Sequence, residues 1–133
     1  TKEAEYMELA RRKTGVLFRA AAEVGAVAAG ADGFTIESMG EYAERVGIAF
    51  QMRDDVLDAT GESADLGKPA GQDAEMDRPS VIQVTDLSAE EANELAQEEA
   101  DKALAALKTA TVEDSEARQY LEQLAEYVVT RER

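Results

Sequence analysis

The sequence has no cysteine and no histidine. This excludes disulfides, zinc sites of the usual Cys and His kind, thiol nucleophiles and a Ser-His-Asp triad, and leaves Asp, Glu, Lys, Arg, Gln and Tyr to carry any chemistry. Basic residues are scarce: 14 Lys and Arg stand against 29 Asp and Glu, a formal charge of −15. Such a field repels nucleic acid and anionic membranes, so neither is expected as a partner, and each local cation stands out. There is no apolar run long enough to span a bilayer, no signal peptide and no lipidation motif, so the expectation is a cytoplasmic chain without stable membrane insertion. Only two Pro and nine Gly interrupt 133 residues, and no alternating strand pattern competes with helix.

What is present fits a single all-α domain. Hydrophobic residues make up 44% of the chain, enough for a real core at this length. The most informative stretch is Phe50-Gln51-Met52-Arg53-Asp54-Asp55-Val56-Leu57-Asp58. Apolar residues leading into it, Ile36, Met39, Ala43, Val46, Phe50 and Leu57, follow a three-four spacing and predict one helical stripe facing a core. Asp54 is expected inside that stripe, with Asp58 one turn further along. Clustered carboxylates at the end of a buried seam lose hydration at a cost of several kcal/mol unless a cation replaces the water. Mg²⁺ meets that need, since it takes oxygen ligands and favours one or two carboxylates plus substrate phosphates. In so acidic a chain the same cluster also reads as a solvated helix end.

In chain order, Lys2 to about Ala31 predicts one long helix with Leu9, Val16, Ala20, Val24 and Val27 inward. Lys13 interrupts that seam, either as a snorkelling lysine or as a cation aimed at the helix interior, with the Thr14 hydroxyl beside it. Gly30, Asp32 and Gly33 supply a turn, and Thr35 is the expected N-cap of the acidic helix. Two antiparallel helices joined this way bring Asp54 to Asp58 towards Lys13. From Gly61 to Arg78 the periodicity breaks, predicting a loop that carries Lys68 and Arg78, either a functional segment or a surface linker. A short helix follows Pro79, over Ser80 to Thr85. Ser88-Ala89-Glu90-Glu91 is a capping box opening a helix to about Lys108, with Leu95, Leu104 and Leu107 inward. A last helix, about Ser115 to Thr130, is expected to bury Leu121, Leu124 and Val128.

Lys13-Thr14, Gln51, the three aspartates, Lys68 and Arg78 form one constellation suited to an anion held with metal ions. Three motifs carry a resemblance: Lys13-Thr14-Gly15, Phe50-Gln51-x-x-Asp54-Asp55-x-x-Asp58 and Gly67-Lys68-Pro69-x-Gly71-x-Asp73. Through most of its length the chain resembles the C-terminal half of the trans-type isoprenyl (polyprenyl) diphosphate synthases. The resemblance implies an all-helical bundle of the isoprenoid synthase type, normally a homodimer. It further implies Mg²⁺ bound by Asp54, Asp55 and Asp58, directly or through water, as a second aspartate-rich motif. Lys13, Thr14, Gln51 and Lys68 would contact an allylic diphosphate, with Asp54, Lys13 and Lys68 central to its ionisation before condensation with isopentenyl diphosphate.

Where family members commonly carry Lys-x-Thr, this chain has Asp77-Arg78-Pro79-Ser80, which keeps positive charge but changes the fork geometry at Arg78. The family's first aspartate-rich motif and isopentenyl diphosphate site are not among these residues. The expectation is therefore that residues 1–133 are the C-terminal part of one helical domain, inactive alone, with an apolar seam covered in a homodimer or higher oligomer. Two other readings are a non-catalytic helical interaction module and a fragment of a terpenoid synthase or cyclase.

Overall fold

The computed structural model describes residues 1–65, 87–110 and 115–132. Lys68, Arg78, the Gly67 to Asp73 motif and the helix expected after Pro79 lie outside the described residues. Among those described, every regular element is helical: α1 (Lys2–Ala10), a π-helical turn (Arg11–Gly15), α2 (Val16–Ala28), α3 (Gly33–Asp65), α4 (Ala89–Thr109) and α5 (Glu116–Thr130).

Local chemistry sets the helix ends. The Thr1 hydroxyl accepts from the Ala4 amide at 3.0 Å, and Glu3 and Glu5 suit the positive end of the α1 dipole. After α2, Gly30 adopts φ +78°, which lets its amide reach the Val27 carbonyl and the Ala31 amide reach that of Ala26, a Schellman closure. The cap of α3 is Asp32 rather than Thr35: the Asp32 carboxylate accepts from the Thr35 amide at 2.7 Å, and the helix already begins at Gly33. With Asp32 at the N-cap, Thr35 falls at the third position of the first turn, where its amide is the one capped and its side chain is buried. At the other end α3 continues through Gly61 to Asp65, so the expected loop does not start at Gly61. The Ser88 capping box forms as expected, both bonds at 3.1 Å, and Ser115 caps α5 by accepting from the Arg118 amide.

α3 is the central element, touched by each of the other described helices. Its core residues Tyr42, Ala43, Val46, Ile48, Ala49, Met52 and Val56 pack with Tyr6 and Ala10 of α1 and with an alanine line on α4, Ala92, Ala96, Ala100 and Ala103. Small side chains let α4 lie close to α3, while Leu95 and Leu104 sit only half-buried beside that line. Buried Glu99 on α4 is matched by Arg45 at 2.9 Å and Lys102 at 3.1 Å, so its charge is paired on entering the core.

The first helical stretch faces the opposite way from the expectation. Leu9, Val16, Val24 and Val27 are exposed, as is Leu17, and Phe34 lies bare beyond the turn. α2 turns Phe18, Arg19 and Ala22 towards α3 instead, and the approach is closest just before it: a Cβ on Gly47 would stand 2.9 Å from the Gly15 Cα, so the two backbones meet at a glycine pair. Leu17, Phe18, Ala20, Ala21 and Val24 line a shallow apolar depression of about 780 Å³ on the outer side. Leu124 of α5 is likewise exposed, because Ala125, Val128 and Val129 take the buried side. Periodicity identifies an apolar stripe but not which stripe a neighbour covers.

Candidate metal centre

The Gly15–Gly47 contact fixes the site. One turn beyond it on α3 stands Gln51, and one residue before it, in the π-helical turn, stands Thr14. The wider turn is marked by the Val16 amide bonding the Arg11 carbonyl five residues back, so the helix accommodates an extra residue where Lys13 and Thr14 sit. The Thr14 hydroxyl donates to Gln51 Oε1 at 2.8 Å. Gln51 Nε2 donates to Asp55 Oδ1 at 3.0 Å, and the Tyr6 hydroxyl donates to Asp55 Oδ2. A continuous chain of hydrogen bonds thus links α1, the π turn and the acidic helix.

Asp54, Asp55 and Asp58 each turn a carboxylate oxygen to within 4.8 Å of the others. The buried acid, however, is Asp55 and not Asp54. Asp55 lies only about 20° round from Ile48, within the stripe of Ile48, Met52 and Val56. Because α3 is sandwiched between α1 and α2 on one side and α4 on the other, its buried arc is wider than one stripe and is centred away from Phe50 and Leu57, which are half-buried. The Asp54 side chain is 44% exposed.

Burial pushes the Asp55 carboxyl up to about 6; the Tyr6 and Gln51 hydrogen bonds and the Lys13 charge pull against that, and neighbouring Asp54 adds to it. Burial also raises the Tyr6 phenol above its ordinary value, with the Asp55 charge acting in the same direction. Lys13 itself is on the surface, its charge felt by Asp55, so the expected approach of Lys13 to the acidic group is met by charge rather than by insertion.

A second set of cations borders Asp54. Arg131, just past α5, places its guanidinium over the Phe50 ring at 4.4 Å, donates to the Phe50 carbonyl at 3.3 Å and comes within 3.6 Å of Asp54 Oδ1. Arg53 holds the Arg131 carbonyl through Nε and Nη2 at 3.0 and 2.8 Å and reaches Asn93 of α4 with Nη1. Tyr6, Arg53 and Arg131 are absent from the sequence-based constellation. Tyr6 had a signal, standing two turns before Lys13 on one helix, whereas Arg131 lies 77 positions from Asp54 with no motif to connect them.

The polyprenyl synthetase family model matches residues 1–126. The chain belongs to this family. A short chain isoprenyl diphosphate synthase of Methanocaldococcus jannaschii is 35% identical over 118 residues, covering 89% of this chain and 35% of that protein. The farnesyl diphosphate synthase of Escherichia coli is 38% identical over 122 residues, covering 91% and 40%. Among solved structures, a polyprenyl synthase from Caulobacter crescentus complexed with calcium and isoprenyl diphosphate superposes with a TM-score of 0.81 at 30% identity, over 98% of this chain and 50% of that one. The chain therefore spans well under half the length of these curated relatives. The all-helical architecture agrees with theirs.

The donor set fits a hard divalent cation. It offers carboxylate oxygens alone, without the sulfur or imidazole that softer metals select, and the oxygens already converge. Asp54 and Asp58 are the less buried members of the cluster, whereas both oxygens of Asp55 are engaged by Tyr6 and Gln51.

Proposed function

We propose that this chain supplies the second aspartate-rich motif of a prenyl diphosphate synthase, binding an allylic diphosphate with Mg²⁺ for condensation with isopentenyl diphosphate. The observation that carries this reading is the convergence of Asp54, Asp55 and Asp58 within 4.8 Å beside the Thr14–Gln51 pair, in a chain of the polyprenyl synthetase family. Asp54 and Asp58 would hold the ion through their less buried carboxylates, and Asp55 would fix the cluster through its bonds to Tyr6 and Gln51. Bound Mg²⁺ supplies neutralisation of the diphosphate leaving group as the allylic C–O bond ionises. Lys13 adds a positive charge at the rim, Gln51 Nε2 carries a second N–H for diphosphate oxygens, Thr14 would turn its one hydroxyl proton from Gln51 to the anion, and Lys68 and Arg78 are assigned to the same anion from the motifs that hold them.

We also read residues 1–133 as the C-terminal part of a larger helical domain, with turnover requiring the rest of it. The share of the relatives covered and the bare apolar face of α2 support this reading. That face would be covered by further helices or by a second copy, giving the homodimer or higher oligomer expected from the sequence. Thermal unfolding with and without Mg²⁺ tests the metal assignment. Millimolar Mg²⁺ should raise Tm in the wild-type chain and leave Asp54→Asn with Asp58→Asn unmoved; equal shifts in both would remove the metal from these residues.

A further inference from the structure

The geometry points to Arg131 as a resident counter-cation of the acidic cluster, one that a divalent ion displaces from Asp54. The inference rests on the metal reading above. Three carboxylates converging within 4.8 Å repel one another, and the guanidinium standing 3.6 Å from Asp54 Oδ1 offsets part of that repulsion. Its place is built from several sides: the Phe50 ring lies beneath it, the Phe50 carbonyl accepts from Nη2, and Arg53, tied to Asn93, clamps its backbone carbonyl. Arg131 is thereby only 13% exposed.

The hold on Asp54 is the loosest of these contacts. At 3.6 Å it is an ion pair without hydrogen-bond geometry, and Nε is buried with no hydrogen-bond partner among the described residues, so the fork is incompletely used. Yielding Asp54 to an incoming ion leaves the ring stack and the Arg53 clamp in place. A divalent ion at Asp54 and Asp58 would also be repelled by a guanidinium at that distance. Arg131 therefore weakens metal binding in the absence of an anion, and metal binding shifts the Arg131 head group. Both effects pass through Asp54.

Manganese titrations of the full chain, followed by calorimetry, test this with Arg131→Gln, Arg131→Lys and Lys108→Gln. Lys108→Gln removes one charge near the far end of α4, about 22 Å along that helix from Asn93. Arg131→Gln should bind Mn²⁺ about five-fold more tightly than wild type, while Arg131→Lys and Lys108→Gln bind as wild type does. The arginine Nε–Hε resonance of Arg131 should move on addition of Mg²⁺ to wild type and stay unmoved in Asp54→Asn. Unchanged or weaker binding by a folded Arg131→Gln, or a still resonance at saturating Mg²⁺, overturns the proposal alone. Equal tightening by Gln and Lys traces the effect to packing and overturns it as well. Mn²⁺ binding by none of the proteins overturns the metal reading and this proposal together.

Discussion

Thr14 and Gln51, 37 positions apart, share a hydrogen bond of 2.8 Å that joins the π-helical turn to the acidic helix. Through Gln51 Nε2 the same link extends to Asp55, so one hydroxyl on the first helical stretch helps to orient the acid in the middle of the cluster. The close approach that permits it is the glycine pair one step away.

Replacing Gly47 by Ala should therefore damage both fold and site. Its Cβ would stand 2.9 Å from the Gly15 Cα and 3.1 Å from the Phe18 ring, and the backbone contact cannot be relieved by a rotamer change. A loss of about 1–3 kcal/mol in denaturant unfolding is expected, together with weaker diphosphate binding as Thr14 moves from Gln51. Gly25→Ala, where nothing lies within 4 Å of the added methyl, should not destabilise the chain.

Acid pH should stabilise the Asp55 region in metal-free protein. The folded carboxyl titrates at about 6 against an ordinary value of 3.8, so over that interval the folded state holds a proton that the unfolded state has lost. Stability conferred by this group is thus present below pH 4 and is lost as pH rises through 6, by roughly 3 kcal/mol in all. Unfolding in EDTA should show Asp55→Asn gaining on wild type between pH 4 and 7.5 by an amount of that order. A constant difference across the range would contradict the burial of a charged Asp55.

Tyr6→Phe removes the phenol donor from the same carboxylate. At pH 7.5 the loss should be about 1–3 kcal/mol, since a buried charged acceptor is left short of a partner, and it should shrink at pH 4, where the carboxyl is protonated. Equal losses at both pH values would mean that the ring's packing, and not its hydroxyl, supports the site.

The bare face of α2 predicts association. Leu17 and Val24 are each 69% exposed and border the apolar depression. Sedimentation of the wild-type chain should show a dimer or larger species, and Leu17→Glu with Val24→Glu should shift it to monomer while retaining helical circular dichroism. A wild-type monomer at tens of micromolar would leave this face uncovered.

Much of this arrangement was legible in the sequence because it is local. The capping box at Ser88 depends on residues three apart, and the Asp54, Asp55 and Asp58 cluster follows from helical spacing alone. What was not legible depends on the third dimension. Spacing put Asp54 in the core stripe, but burial of α3 from two sides selects Asp55. The same limitation turned Leu9, Val16, Val24 and Val27 inward, although the Gly15–Gly47 contact sets the Phe18 and Ala22 side of α2 against α3. Arg131 joins the site only because α5 folds back along α3 and Arg53 holds its carbonyl, a contact with no sequence pattern. Tyr6 lay within reach of the periodicity but was overshadowed by the charged residues.

The most direct measurement is a calorimetric titration of geranyl diphosphate into the chain and into Asp54→Ala, each with and without Mg²⁺. Saturable binding that requires both Mg²⁺ and Asp54 is the predicted result. Binding that persists without Mg²⁺ or without the Asp54 carboxylate, or no binding under any condition, would contradict the assignment of this cluster as a metal-dependent diphosphate site.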